Sequence, residues 1–171
     1  MKILDNQIHN DIWDWVDKEL AFSPNANDTT HGFPYGPPFK IPGNYAVYGI
    51  ENMSDVQRDN MDYLVHRALC NAVLPGDCLY ALDWFHSGFL YNPRTESDAA
   101  VWVEHPFIKA GGFYIGIPDY YPDGDYYFFI DEHLEFGYLS HPWRKEVWIF
   151  GNKLIEEFEM IYQELGWEKL Y

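Results

Sequence analysis

Asp83 and His86, in Ala81-Leu82-Asp83-Trp84-Phe85-His86, are the first side chains whose types and spacing could do chemistry. A carboxylate near an imidazole can orient a general base or supply two metal ligands. Side chains alternate along a strand, so these two point to opposite faces unless a bulge or turn intervenes. The plainer reading is Asp83 satisfying backbone donors at a strand end.

A second cluster is Tyr121-Pro122-Asp123-Gly124-Asp125. Two acids around a glycine suggest a calcium loop, but the further alternating ligands and the distal Glu of an EF-hand are missing. Turn chemistry explains the segment: Pro presets the second turn position, Gly suits the fourth, and Asp125 then begins a strand. The third cluster is Ser140-His141-Pro142-Trp143. Pro142 keeps His141 out of helical geometry and fixes its imidazole at a strand end, as a ligand, a base or a hydrogen-bonded structural group.

No GxSxG, HExxH, Walker A or dinucleotide-binding pattern occurs, and the glycines of Gly111-Gly112-Phe113-Tyr114-Ile115-Gly116 sit in strand-like sequence. Asp83, His86, Asp125 and His141 are therefore the candidate catalytic residues, with Trp84 and Trp143 as walls. Trp84, Asp123 and Trp143 are the candidate binding residues. The two cysteines, Cys70 and Cys78, match neither a CxxC pair nor a zinc framework, and with scattered histidines they give no ligand quartet, so no metal or cofactor is expected.

Composition narrows the partners. The 27 Asp and Glu against 11 Lys and Arg give a formal charge of -16. Such a surface repels phosphate backbones and anionic lipid heads, so neither nucleic acid nor membrane is expected as a partner. The acidity serves solubility, or a basic protein partner. The N-terminal sequence reaches an acid too early for a secretory apolar region, and no apolar run could span a bilayer, so the cytoplasm is the expected location.

The elements that must position the clusters come from periodicity. Residues 5–20 and a segment opened by Ser54 read as amphipathic helices, the second with a Ser54-x-x-Gln57 capping box and a stop at Pro75-Gly76. Asn152 reads as the cap of a last helix. Strands are expected at 44–50, at 78–84 with a continuation through 89–91, and at 100–104, 112–118, 125–131, 135–140 and 146–150. A Pro- and Gly-rich loop at 23–43 is expected to cover the core edge with Phe33, Tyr35 and Phe39. The 171 residues thus predict one α+β domain: an antiparallel, mainly meander sheet with N-terminal, middle and C-terminal helices packed on it.

The runs Tyr80 to His86, Tyr121 to Phe129, Phe136 to Trp143 and Ile149-Phe150-Gly151 resemble a bacterial family, domain of unknown function twenty-seven sixteen. Trp13-Asp14-Trp15-Val16 and Phe22-Ser23-Pro24 fit it too, so the resemblance spans nearly the whole chain. Where members often carry an acid and an amide after the HPW motif, this chain has Arg144 and Lys145, and Ser140 stands where Gly is usual. The resemblance implies one compact bacterial domain and no particular reaction.

Two functional readings follow. The first is a non-enzymatic binding or interaction protein, such as an immunity protein whose acids meet a basic toxin. The alternative is an enzyme or metal-binding protein using Asp83, His86, Asp125 and His141; convergence of all four in a cleft would favour it. For the third cluster, Trp143 is expected to be a buried packing anchor worth about 3–5 kcal/mol, and His141 a hydrogen-bonded group worth about 1–2 kcal/mol.

Overall fold

The computed structural model describes residues 1–22, 24, 37–84 and 86–171. Among the described residues, ten strands and three helices follow in the order β1 (Lys2–Ile3), α1 (Asn6–Glu19), β2 (Tyr45–Gly49), α2 (Asp55–Ala72), β3 (Leu79–Asp83), β4 (Phe89–Tyr91), β5 (Ala100–Glu104), β6 (Gly112–Gly116), β7 (Tyr127–Asp131), β8 (Gly137–His141), β9 (Glu146–Phe150), α3 (Asn152–Ile161) and β10 (Glu168–Lys169).

Local signals set the helix starts. Asp5 caps α1 by accepting from the backbone N–H groups of Gln7 and Ile8, and Ser54 with Gln57 forms the capping box of α2. These contacts satisfy donors that have no intrahelical partner. The cap of α3 differs from expectation. Gly151 holds that position at φ 85°, and Asn152 is the first helical residue, its Oδ1 accepting from Asn44 Nδ2. A β-carbon at Gly151 would overlap Phe136 and reach within 2.7 Å of the Glu135 carbonyl oxygen, so close packing and a left-handed φ both demand glycine.

Eight strands form one antiparallel sheet in the order β1-β4-β3-β7-β8-β9-β2-β10. Its centre, β7-β8-β9, is a meander. The segment at 89–91 does not continue β3; it turns back at Trp84 to pair with it, Ala81 opposite Phe89. The short edge strands β1 and β10 carry too few residues to show a period. Pairing also removes β5 and β6 from the sheet: they form a separate two-stranded hairpin, Trp102 opposite Tyr114.

Alternation gives the sheet two apolar faces. Val47, Leu82, Phe128, Ile130, Leu139 and Trp148 pack with Ile12 and Val16 of α1 and with Leu20 at its C-cap. Ala46, Tyr48, Ala81, Phe129, Tyr138 and Ile149 pack with α2 and α3. The chain is therefore an α+β domain in three layers, α1, sheet, and α2 with α3. Of the loop expected at 23–43, Phe39 and Ile41 are buried on the α1 side beside Phe22, while Phe33 and Tyr35 lie outside the described residues.

Candidate functional site

Asp83 is the last residue of β3, and by alternation from Ala81 it lies on the α2 face. The chain turns at Trp84, with His86 N–H donating to the Asp83 carbonyl. That turn defeats the strand alternation. It brings His86 Nδ1 to 2.9 Å from Asp83 Oδ1.

β7 supplies the third member. Asp83 pairs with Tyr127, and Trp84 N–H reaches the Tyr126 carbonyl, so Asp125 arrives beside Asp83 on the same face. Ligating atoms of Asp83, His86 and Asp125 all lie within 4.8 Å of one another. The 121–125 segment bends without a backbone turn hydrogen bond among the described residues, and the strand starts at Tyr127 rather than Asp125. Asp123 is held by the Tyr127 hydroxyl, which donates to its Oδ1 at 2.6 Å.

The electrostatics are those of a crowded anionic pair beside an imidazole. Burial raises the Asp125 carboxyl above its usual range, and the charge of Asp83 adds to this. Contact with Asp83 and its charge raise His86. Asp83 Oδ1 is closed to water, and the exposed His86 ring approaches it without the alignment of a hydrogen bond.

Asp83 and His86 open on a cleft of about 380 Å³. Its near wall is Asp83, His86, Ser87 and Phe89; Val103, Phe113 and Ile115 of the β5–β6 hairpin form the far wall. Polar groups thus gather at one end of a mostly apolar slot. The hairpin escaped sequence reading as part of a site. The only signal for it was aromatic density between Gly112 and Gly116, which fits a core strand equally well.

His141 does not join the other three. By alternation from Leu139 it lies on the α1 face, fully buried, with Nε2 3.4 Å from the Tyr126 hydroxyl and Nδ1 accepting from Arg144 N–H. Burial, then the charge of Arg144, lowers its pKa to about 3. Trp84 and Trp143 do not line the cleft either; both rings pack edge-on against Tyr126. Trp143 is 37% exposed, so it is a partial lid on this aromatic group and not the expected buried anchor. Arg144 pairs with Glu146 at 2.8 Å.

Two other polar groups went unread in the sequence. Cys70 Sγ lies 3.4 Å from His66 Nε2, whose Nδ1 is 3.0 Å from the Tyr120 hydroxyl. The His66-x-x-x-Cys70 spacing on one helix face was the available signal. Burial raises the thiol and lowers the imidazole, the reverse of what a thiolate–imidazolium nucleophile requires. Asp77, Glu132 and His133 also gather, but Glu132 is engaged by Cys78 N–H at 2.6 Å. Among the described residues no helix is long and apolar enough to cross a membrane.

Comparison with known proteins agrees with the motifs. The chain is 26% identical over 150 residues to "Uncharacterized protein YxiI" of Bacillus subtilis (strain 168), covering 86% of this chain and 85% of that protein. No solved structure matches it. Residues 3–155 match the family described as "Protein of unknown function (DUF2716)", and the chain belongs to that family.

Proposed function

We propose that the protein is a non-enzymatic binding protein of the cytoplasm that engages a basic protein partner, in the manner of an immunity protein. The observation that carries this reading is the β5–β6 hairpin. Standing outside the main sheet, it exposes Trp102, Phe107, Phe113 and Tyr114. Trp102 and Tyr114 share one face of the hairpin and Phe113 lies on the other, and aromatic anchors of this kind dominate protein interfaces. The Asp83 carboxylate lies across the cleft from it, with Asp125 near Asp83, in a chain of charge -16. Such a field speeds encounter with a basic partner and repels acidic ones.

Affinity capture from the source bacterium tests the reading, with the parent beside a Phe113→Ser/Tyr114→Ser variant. A basic protein retained in stoichiometric amount by the parent, released by salt and lost with the variant, is the expected result. Capture of nothing, or equal capture by the variant, overturns it.

A further inference from the structure

We propose that the outer edge of β6 receives an extended strand of the basic partner, one that alternates Arg or Lys with apolar side chains. This deepens the basic-partner reading and rests on it. Among the described residues β5 and β6 pair with each other and with no further strand, so each keeps an open edge. The phase of the ladder sets which groups face outward. His105 N–H donates to the Gly111 carbonyl, one step beyond the Glu104–Gly112 pair. Bonded and non-bonded pairs alternate along an antiparallel ladder, so Val103–Phe113 and Val101–Ile115 are bonded pairs and Trp102–Tyr114 is not. Gly112, Tyr114 and Gly116 therefore turn their N–H and C=O groups to the outer edge, where they have no partner among the described residues.

This edge is unguarded. Edge strands are commonly protected by a charge, a proline or a bulge. β5 ends on Glu104, whereas β6 holds no charge and no proline and its register runs unbroken. An open row of backbone donors and acceptors is a template for strand addition, in which main-chain bonds give affinity and alternate side chains give specificity. The two faces beside the edge set the chemistry of those side chains. On one, exposed Trp102 and Tyr114 meet edge to face at 5.0 Å. Gly112 lets the indole lie across β6, since a β-carbon there would come within 2.9 Å of the Trp102 ring. The resulting aromatic platform suits cation–π contact with Arg or Lys. On the other face, Phe113 and Ile115 line the mostly apolar cleft with Phe89 and Val103. An added strand alternates its side chains between these faces, so basic residues meet the platform and apolar ones the cleft. The charges nearby are acidic. Glu104 is exposed at the end of β5, and Asp98 and Asp119 are exposed at the base of the hairpin, where they border a second cleft of about 360 Å³. Lys109 is the only Lys or Arg between Glu96 and Asp119. A second copy of the chain would bring a further charge of -16 to this edge and is disfavoured as its occupant.

The test uses the full chain and three synthetic peptides. They are acetyl-Arg-Val-Arg-Val-Arg-Val-amide, the same peptide with every backbone nitrogen methylated, and its counterpart with Glu for Arg. A strand this short is expected to bind with a Kd on the order of 1 mM. Saturating Arg peptide should slow hydrogen exchange, followed by NMR, at the amides of Gly112, Tyr114 and Gly116. Phe113 and Ile115, whose N–H groups already face β5, should change little. The methylated peptide and the Glu peptide should each bind at least about tenfold more weakly. Tyr114→Ser keeps the edge, removes half of the platform, and should weaken the Arg peptide about threefold. The proposal is overturned if the Arg peptide fails to saturate by about 10 mM. It is equally overturned if either control peptide binds as well, or if protection appears elsewhere and not on β6. Protection of the same three amides that grows with protein concentration alone would make a second copy the occupant and also overturn it. If the Arg peptide adds to β6 but no basic protein is captured, the partner reading fails alone. If a basic partner is captured and leaves these three amides unprotected, strand addition fails alone.

Discussion

The ring of His141 lies 4.8 Å from that of Tyr126, edge to face at 72°, and water reaches no part of the histidine. Its Nδ1 accepts from Arg144 N–H, so the neutral tautomer carries its proton on Nε2, toward the Tyr126 oxygen. Protonating Nδ1 would turn an acceptor into a donor facing a donor, beside the Arg144 charge.

A pH dependence follows. The folded pKa, near 3, lies below the ordinary value of 6.5. The unfolded chain therefore binds more protons between these values, and stability falls as pH drops through that window. Lowering the pH by two units from the ordinary histidine value should cost about 2–3 kcal/mol through this residue. His141→Asn keeps an acceptor for Arg144 N–H but does not titrate. Urea unfolding of parent and variant should show the parent losing stability more steeply over this range. Parallel curves would mean that His141 is solvated or already charged in the fold.

The same geometry inverts the relative cost expected at 141 and 143. Trp143 keeps 37% of its surface in water, and its packing is against Tyr126 and His141. Trp143→Ala should cost about 1–2 kcal/mol, the share of a part-buried aromatic. His141→Ala removes a fully buried ring and the acceptor of Arg144 N–H, and should cost about 2–4 kcal/mol. Chemical denaturation at neutral pH checks the order; a larger loss at Trp143 would contradict it.

His86 reports on Asp83. Its ring is 70% exposed, so its titration is accessible to NMR, and contact with Asp83 and its charge raise its pKa above the usual histidine value. In Asp83→Asn protein the His86 transition should move down toward the ordinary value. An unchanged midpoint would show that the two side chains are apart in solution.

These residues also mark how far the sequence could be read. The helices at Asp5 and Ser54 were legible because each cap and its apolar stripe lie within a few residues of each other. The central strands were legible because Phe128 to Ile130 and Val147 to Phe150 are apolar enough to face two layers. Long-range pairing was not legible. Nothing local in Ala100–Glu104 distinguishes a hairpin strand from a sheet strand, and nothing in Phe89–Tyr91 says that the chain has reversed. The site depended on those two facts. Asp83, His86 and Asp125 could be named from residue type, but their meeting depends on the turn at Trp84 and on the β3–β7 register. His141 shares their chemistry and was grouped with them, yet one residue of register places it on the other face of the sheet.

Asp125 separates a residue kept for the fold from one kept for binding. Its carboxyl is raised by burial and by Asp83, partly offset by the Tyr126 N–H that its Oδ1 accepts at 2.8 Å. A folded pKa above the unfolded one means that the native state binds more protons in that window, so the parent loses stability as pH rises through it. Asp125→Asn retains an oxygen for Tyr126 N–H and removes the repulsion with Asp83. The variant should therefore be at least as stable as the parent at neutral pH, with its relative advantage shrinking as the pH is lowered past the carboxylate range. Sites often hold such unfavourable charge for function at the expense of stability. Thermal melts at neutral and acidic pH supply the measurement. A variant less stable by more than about 1 kcal/mol at neutral pH would mean that the carboxylate supports the fold through its hydrogen bonds, and Asp125 would then be a strand-end cap and not a group held ready for a basic partner.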